Sequence, residues 1–239
     1  MNMPFYVAPE QVMKDRADYA RKGIARGRAL VAVRYVDGIA MVAENSSATL
    51  RKISEIYDRI AFAGVGRYNE FDQLRVAGVR AADLKGFQYS RDDVDARSLA
   101  NQYAQILGQI FTHEMKPMEV EILVAEVGQE PAGDQMFHIN YDGTVVDQRE
   151  RAVLGGDAAA ISTRVAETFG DRDGDALDLA SAVSGAVTAL STPERSIPAA
   201  ELEVALLVRG DSRRCFRRLS DDEVIAIIGA GNGAPAAKT

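Results

Sequence analysis

Residues 28–66 read RALVAVRYVDGIAMVAENSSATLRKISEIYDRIAFAGVG, and the alternation of apolar runs with turn formers in this stretch decides the fold. In its first run Ala29, Val31, Val33 and Tyr35 fall on one side of an extended chain, and Arg28, Ala32 and Arg34 fall on the other. Asp37-Gly38 supplies a two-residue hairpin turn, and Ile39 to Ala43 is the return strand. Glu44-Asn45-Ser46-Ser47 breaks that strand with turn formers. Ile53, Ile56 and Tyr57 mark a third run that turns at Asp58-Arg59 into a fourth, Ile60 to Val65. The stretch is therefore two consecutive hairpins, and the unbroken apolar run Ile39-Ala40-Met41-Val42-Ala43 calls for cover on both faces of the sheet.

Helical patterns lie on both sides of it. Upstream, Pro9 and Glu10 form a helix-start signal, and Met13, Ala17, Ala20 and Ile24 make one apolar stripe ending near Gly23 to Gly27. That stripe must pack on the domain or on a neighbour. Downstream, Asn69 is placed to cap a helix whose face is Phe71, Leu74, Gly78 and Ala82 and which reaches about Lys85. Leu99, Tyr103, Ile106, Leu107, Ile110 and Phe111 form the strongest helical period in the chain, and Pro117 stops it. A strand over Val120 to Val127 follows, then a hairpin of Met136 to Asn140 and Thr144 to Asp147 turning on Asp142-Gly143. Val153-Leu154 leads into Gly155-Gly156-Asp157, where Asp157 can cap a helix with Ile161, Val165 and Thr168 inward. Asp175 can cap the next, with Leu177, Ala180, Val183, Val187 and Leu190 inward. A last hairpin pairs Leu202 to Val208 with Cys215 to Leu219. Ser220 with Glu223 is a capping box for a short helix through Ile228. This order predicts an α+β fold, a four-layer αββα sandwich of two antiparallel sheets with a helix pair on each outer face and one extra N-terminal helix. Three segments result: residues 1–8, a single domain over 9–228, and a Gly/Ala/Pro-rich tail over 229–239.

Composition narrows the function. With 239 residues of which 47% are apolar, the chain can bury one large core. Twenty-eight basic against 35 acidic residues give −7, which argues against nucleic acid and anionic membrane surfaces as partners. No apolar run approaches the roughly 18 residues of a membrane span, and the start has no basic region before an apolar one. The single cysteine, Cys215, has no internal disulfide partner. A soluble cytoplasmic protein is expected.

The ordered set Tyr19-Ala20-Arg21 through Gly27, Val31-Ala32-Val33, Asp37-Gly38, Ala43-Glu44-Asn45, Lys52-Ile53 and Ala63-Gly64 resembles the α-type subunits of proteasome core particles, of the actinobacterial kind. Arg67 to Asp72, the Tyr103 to Phe111 helix, Pro117 to Glu126 and Tyr141-Asp142-Gly143 extend the resemblance to nearly the whole chain. It implies the N-terminal-nucleophile hydrolase sandwich, a seven-membered α ring, and stacking of such rings on catalytic β rings that degrade unfolded or tagged proteins. It does not imply catalysis in this chain. The β-type relatives begin with a threonine whose hydroxyl attacks and whose α-amine is the base. Counted back from Asp37-Gly38, the matching position is Arg28, internal to the chain and without a hydroxyl.

For site residues the resemblance implies a pocket between adjacent α subunits that receives the C-terminal carboxylate of a ring-shaped ATPase activator, lined by Lys52 and Gly27, with Arg26 beside them. By composition alone Lys52 would be a solvated surface lysine. The resemblance also makes residues 1–8, with Met3, Pro4, Phe5, Tyr6 and Val7, a gate over the axial pore. Eight extended residues reach roughly 27 Å, at about 3.4 Å each. No cofactor and no metal are expected, since His113 and His138 lie on different elements without a ligand set. Gly64-Val65-Gly66 lacks the third glycine of a dinucleotide fingerprint. Gly155-Gly156-Asp157 lacks a phosphate-loop Lys and reads as a turn and cap. Cys215 reads as a small core or inter-sheet residue. Asp92-Asp93 and Asp221-Asp222 sit at predicted helix starts, where they suit the helix dipole. The rival reading is an amide hydrolase on the same sandwich with a newly exposed nucleophile such as Thr49.

Overall fold

The computed structural model describes residues 8–232. The expected gate residues Met3, Pro4, Phe5, Tyr6 and Val7 and the end of the tail lie outside the described residues.

Helix α1 (Pro9–Ala25) precedes four strands, β1 (Leu30–Tyr35), β2 (Gly38–Glu44), β3 (Ile53–Tyr57) and β4 (Ile60–Gly66). The two hairpins separate, one into each sheet. One sheet has the order β10-β9-β2-β1-β8 and the other β3-β4-β5-β6-β7, every neighbouring pair being antiparallel. The remaining strands are β5 (Val120–Glu126), β6 (Gln135–Ile139), β7 (Val145–Gln148), β8 (Arg151–Leu154), β9 (Leu202–Val208) and β10 (Phe216–Arg218). Helices α2 (Tyr68–Gln88) and α3 (Ala96–His113) cover the second sheet, while α4 (Ala158–Phe169), α5 (Leu179–Leu190) and α6 (Asp221–Asn232) cover the first.

The alternation read in β1 sorts its side chains between layers. Ala29, Val31, Val33 and Tyr35 join the core under α4 and α5, and Leu30 and Ala32 join the core between the sheets. Every residue of β2 is buried, as its unbroken apolar run requires. Cys215 is buried between the sheets, and burial pushes its thiol pKa up.

Several helix boundaries differ from expectation. Asn69 does not cap α2. The chain leaves β4 with the Arg67 amide bonded to Glu119 O at 2.9 Å and turns straight into the helix, so Arg67 holds the N-cap without a side-chain bond. That helix also runs past Lys85 to Gln88. Asp175 does not cap α5. Its carboxylate pairs with Arg34 at 2.5 Å within a 3-10 turn, and Asp178 caps instead, accepting from the Ser181 amide at 2.7 Å. Asp92-Asp93 form a separate 3-10 turn, and Asp95 caps α3. Phe169 rather than Thr168 completes the inner face of α4. Helix α6 continues past Ile228. Ser220 and Glu223 form the expected capping box, with Ser220 N donating to Glu223 Oε2 at 2.8 Å. Of the stripe on α1, Ala20 and Ile24 are buried at the end of the inter-sheet core while Met13 is exposed, because only the last turns of the helix reach the sandwich.

Candidate functional site

Between Glu44 at the end of β2 and Ile53 at the start of β3 the chain crosses from one sheet to the other, and the crossing is tied down by polar groups. Asn45 Nδ2 donates to Leu50 O at 2.8 Å and to Glu203 Oε2 at 2.7 Å, and Asn45 Oδ1 accepts from the Ser47 amide at 3.0 Å. Glu203, the second residue of β9, also accepts the backbone amides of Lys52 at 2.9 Å and Ile53 at 3.2 Å. Arg218 on β10 pairs with Glu203 and donates to Ile53 O at 2.6 Å. A buried carboxylate is costly unless it is hydrogen-bonded and paired in this way. Glu203 thus fixes the Lys52 backbone from the opposite sheet. Four polar or charged residues are buried among the described residues, and three of them, Glu44, Asn45 and Glu203, stand here.

The Lys52 side chain is half-buried, and its Nζ donates to Arg28 O at 2.7 Å. Among the described residues it makes no ion pair, because both nearby carboxylates are held by arginines. Glu44 takes Arg28 Nη1 at 2.8 Å and Arg195, and Glu203 takes Arg218. Burial pushes the Lys52 pKa down from 10.5 to about 8, with Glu44 and Glu203 acting the other way and Arg28 adding to the depression. Lys52 thus carries a half-buried ammonium whose side-chain hydrogen bond, among the described residues, goes to a backbone carbonyl.

Of the residues expected around it, Gly27 is adjacent to Arg28, the residue whose carbonyl Lys52 contacts. A Cβ on Gly27 would stand 3.1 Å from Ile24 O and 3.3 Å from Gly66 N, so the end of α1 packs closely on the end of β4 and favours a small residue there. Arg26 is the C-cap of α1, exposed, with no ion pair among the described residues. Glu203, Glu44, Asn45, Arg195 and Arg218 were not singled out from the sequence for this site. The available signal was a lone glutamate inside the apolar strand LEVALLV.

The other candidates keep their structural roles. Arg28 lies inside the chain, joined through Arg26 and Gly27 to the end of α1, so its nitrogen is a peptide nitrogen, and its side chain is engaged with Glu44. Thr49 sits on the exposed crossing loop, its amide bonded to Ser47 Oγ at 3.4 Å. Gly64-Val65-Gly66 ends β4 and enters α2, and Asp157 caps α4 by accepting from the Ala160 amide at 3.2 Å. His113 closes α3, and His138 lies on β6 with Nε2 3.6 Å from Glu121. No group of three metal-ligating side chains occurs among the described residues, and no described helix is long and apolar enough to cross a membrane.

With this geometry in hand, comparison with known proteins gives one answer. The proteasome subunit family model matches residues 24–205. A proteasome subunit alpha of Acidimicrobium ferrooxidans is 62% identical over 229 residues, covering 96% of this chain and 97% of that one. Counterparts in Xylanimonas cellulosilytica and Kineococcus radiotolerans are 54% and 56% identical, each covering 98% of this chain and 98% and 100% of their own. The fold and these matches define a sandwich of the N-terminal-nucleophile class, and the chain belongs to the proteasome subunit family. Within that family its likeness is to α subunits of actinobacteria.

Proposed function

We propose that this chain is a non-catalytic α-ring subunit of a proteasome core particle, which docks a ring-shaped ATPase activator at Lys52 and gates entry to the degradation chamber. The observation that carries the reading is the exchange of roles around Arg28. At the place where β-type relatives hold a threonine with a free amine, this chain has an arginine behind a helix, and the nearby lysine bonds the Arg28 carbonyl. A lysine so placed activates no nucleophile and is available to a peptide carboxylate. Seven copies would close a ring, with residues 1–8 over the pore and the body extending through α6 to Asn232, four residues beyond the expected boundary at 228. The ring would stack on β rings in the cytoplasm and pass unfolded or tagged proteins inward.

Surface chemistry supports an assembling subunit. Leu84, Phe87 and Tyr89 stand exposed together at the end of α2, Phe87 at 89%, and such apolar surface is expected to be covered by a partner. Val12 and Met13, near the start of α1, are further exposed apolar residues that a neighbouring copy could cover. The test is turnover of fluorogenic peptides by the purified chain. The expected result is none without β subunits. Turnover that survives removal of every β subunit and disappears with a point change in this chain would overturn the reading.

A further inference from the structure

We propose that Arg195 is a positioning residue of the Lys52 site: it holds the Glu44 carboxylate away from Lys52, so that the ammonium is left to take the terminal carboxylate of a docked peptide. The inference rests on the docking reading of Lys52.

Glu44 ends β2 with its side chain almost wholly buried, and a buried carboxylate must have cationic partners. It has two, Arg28 and Arg195. Arg28 approaches from the chain entering β1 with its side chain more than half exposed, and Arg195 is presented by a tight turn in which Thr192 and Arg195 exchange both backbone bonds, each at 3.0 Å. The same turn region is anchored to the crossing loop, since the Asn45 amide donates to Glu201 O at 2.8 Å, and Arg195 also reaches Glu201 at 3.3 Å. Lys52 is the third cation near Glu44 and the one without an ion pair among the described residues. If Arg195 is removed, Glu44 gains most by turning to Lys52, and the chain's own carboxylate then occupies the place a ligand's would take. Glu203 cannot compete in the same way, because two backbone amides, Asn45 and Arg218 already fill its oxygens. Arg195 thus sets specificity by suppressing an internal competitor, which is a repulsive element removed rather than an attraction added.

The test uses the assembled particle and a fluorescently labelled peptide matching the C-terminus of the organism's ring ATPase, with a free carboxylate and as its amide-capped form. Arg195→Gln should weaken the carboxylate peptide by about tenfold. Arg195→Lys should keep most of the affinity. Measured well below pH 8, where Lys52 stays charged without Glu44, adding Glu44→Gln to Arg195→Gln should restore it, and Glu44→Gln alone should bind at least as tightly as the natural chain. Nuclear magnetic resonance of 13C-dimethylated lysines should show the Lys52 titration moving to higher pH in Arg195→Gln and back in the double variant, a response that loss of general stability would not give. Unchanged binding in Arg195→Gln, no recovery in the double variant with the ring intact, or weaker binding in Glu44→Gln alone would overturn the proposal. A natural particle that binds the amide as tightly as the acid, or a Lys52→Ala particle that binds like the natural one, would instead overturn the docking reading itself.

Discussion

At one end of β1, Arg34 divides its guanidinium among Asp134 at 3.4 Å, Glu150 at 2.8 Å and Asp175 at 2.5 Å, and Arg209 closes on the same Asp134 at 2.8 Å. At the other end, roughly 20 Å away along the strand, Arg28, Arg195 and Arg218 occupy the two carboxylates and, among the described residues, leave Lys52 without one. Both clusters sit against the inter-sheet layer and both join elements from the two sheets. In the first every cation faces a carboxylate, as expected of a network that fastens loops together. In the second, among the described residues, one half-buried cation has no carboxylate partner and bonds only a backbone carbonyl. On the proposed docking reading, that leftover charge is what separates the second cluster from a fastening.

The largest expected effect lies at the closed end. The Asp134 side chain is buried and takes both Arg209 nitrogens and the Gly128 amide, so Asp134→Ala leaves Arg209 without its carboxylate and should destabilise the chain by about 3–5 kcal/mol in urea denaturation. A loss no larger than that of a surface substitution would erase the contrast between the two ends. Next comes Gly27→Ala, where the added methyl meets backbone on both sides. Overpacking of this kind costs about 1–3 kcal/mol, and a drop in melting temperature would show that Gly27 is small for packing as well as for the pocket. The smallest effect belongs to Lys52→Met at the open end. Its folded-state pKa lies below its ordinary value, so folding favours the neutral form and the charged form is a burden below about pH 8. Lys52→Met should therefore cost at most about 1 kcal/mol near neutral pH, with any advantage over the natural chain shrinking as pH rises from about 8 toward 10.5. A stabilising contribution of Lys52 that grows at low pH would reverse that sign.

Much of the fold was legible because periodicity and burial coincide. The two hairpins, the helix faces of α2 and α3 and the capping box at Ser220 follow from local patterns that the packing leaves intact. What failed were caps chosen among several nearby acidic residues. Asp175 and Asp178 are equivalent by pattern, and only the distant Arg34 decides between them. The site was legible in part. Lys52 and Gly27 came from the family resemblance and composition would have passed over both, whereas Glu203, Arg195 and Arg218 come from segments some 150 residues away and meet Lys52 only through sheet pairing. That β2 and β3 part into different sheets, making the crossing loop a seam between them, depends on strand order and leaves no local trace.

The central claim is that Lys52 is a charged receptor for a peptide carboxylate, and its most direct test is the pH dependence of docking. The affinity of an activator C-terminal peptide for the assembled particle should be high below about pH 8 and fall as Lys52 loses its proton above it. The dependence should vanish when the peptide is amide-capped, and Lys52→Ala should bind both forms equally weakly while its rings remain intact on a native gel. Tight, pH-independent binding of the carboxylate peptide to Lys52→Ala rings would contradict the account.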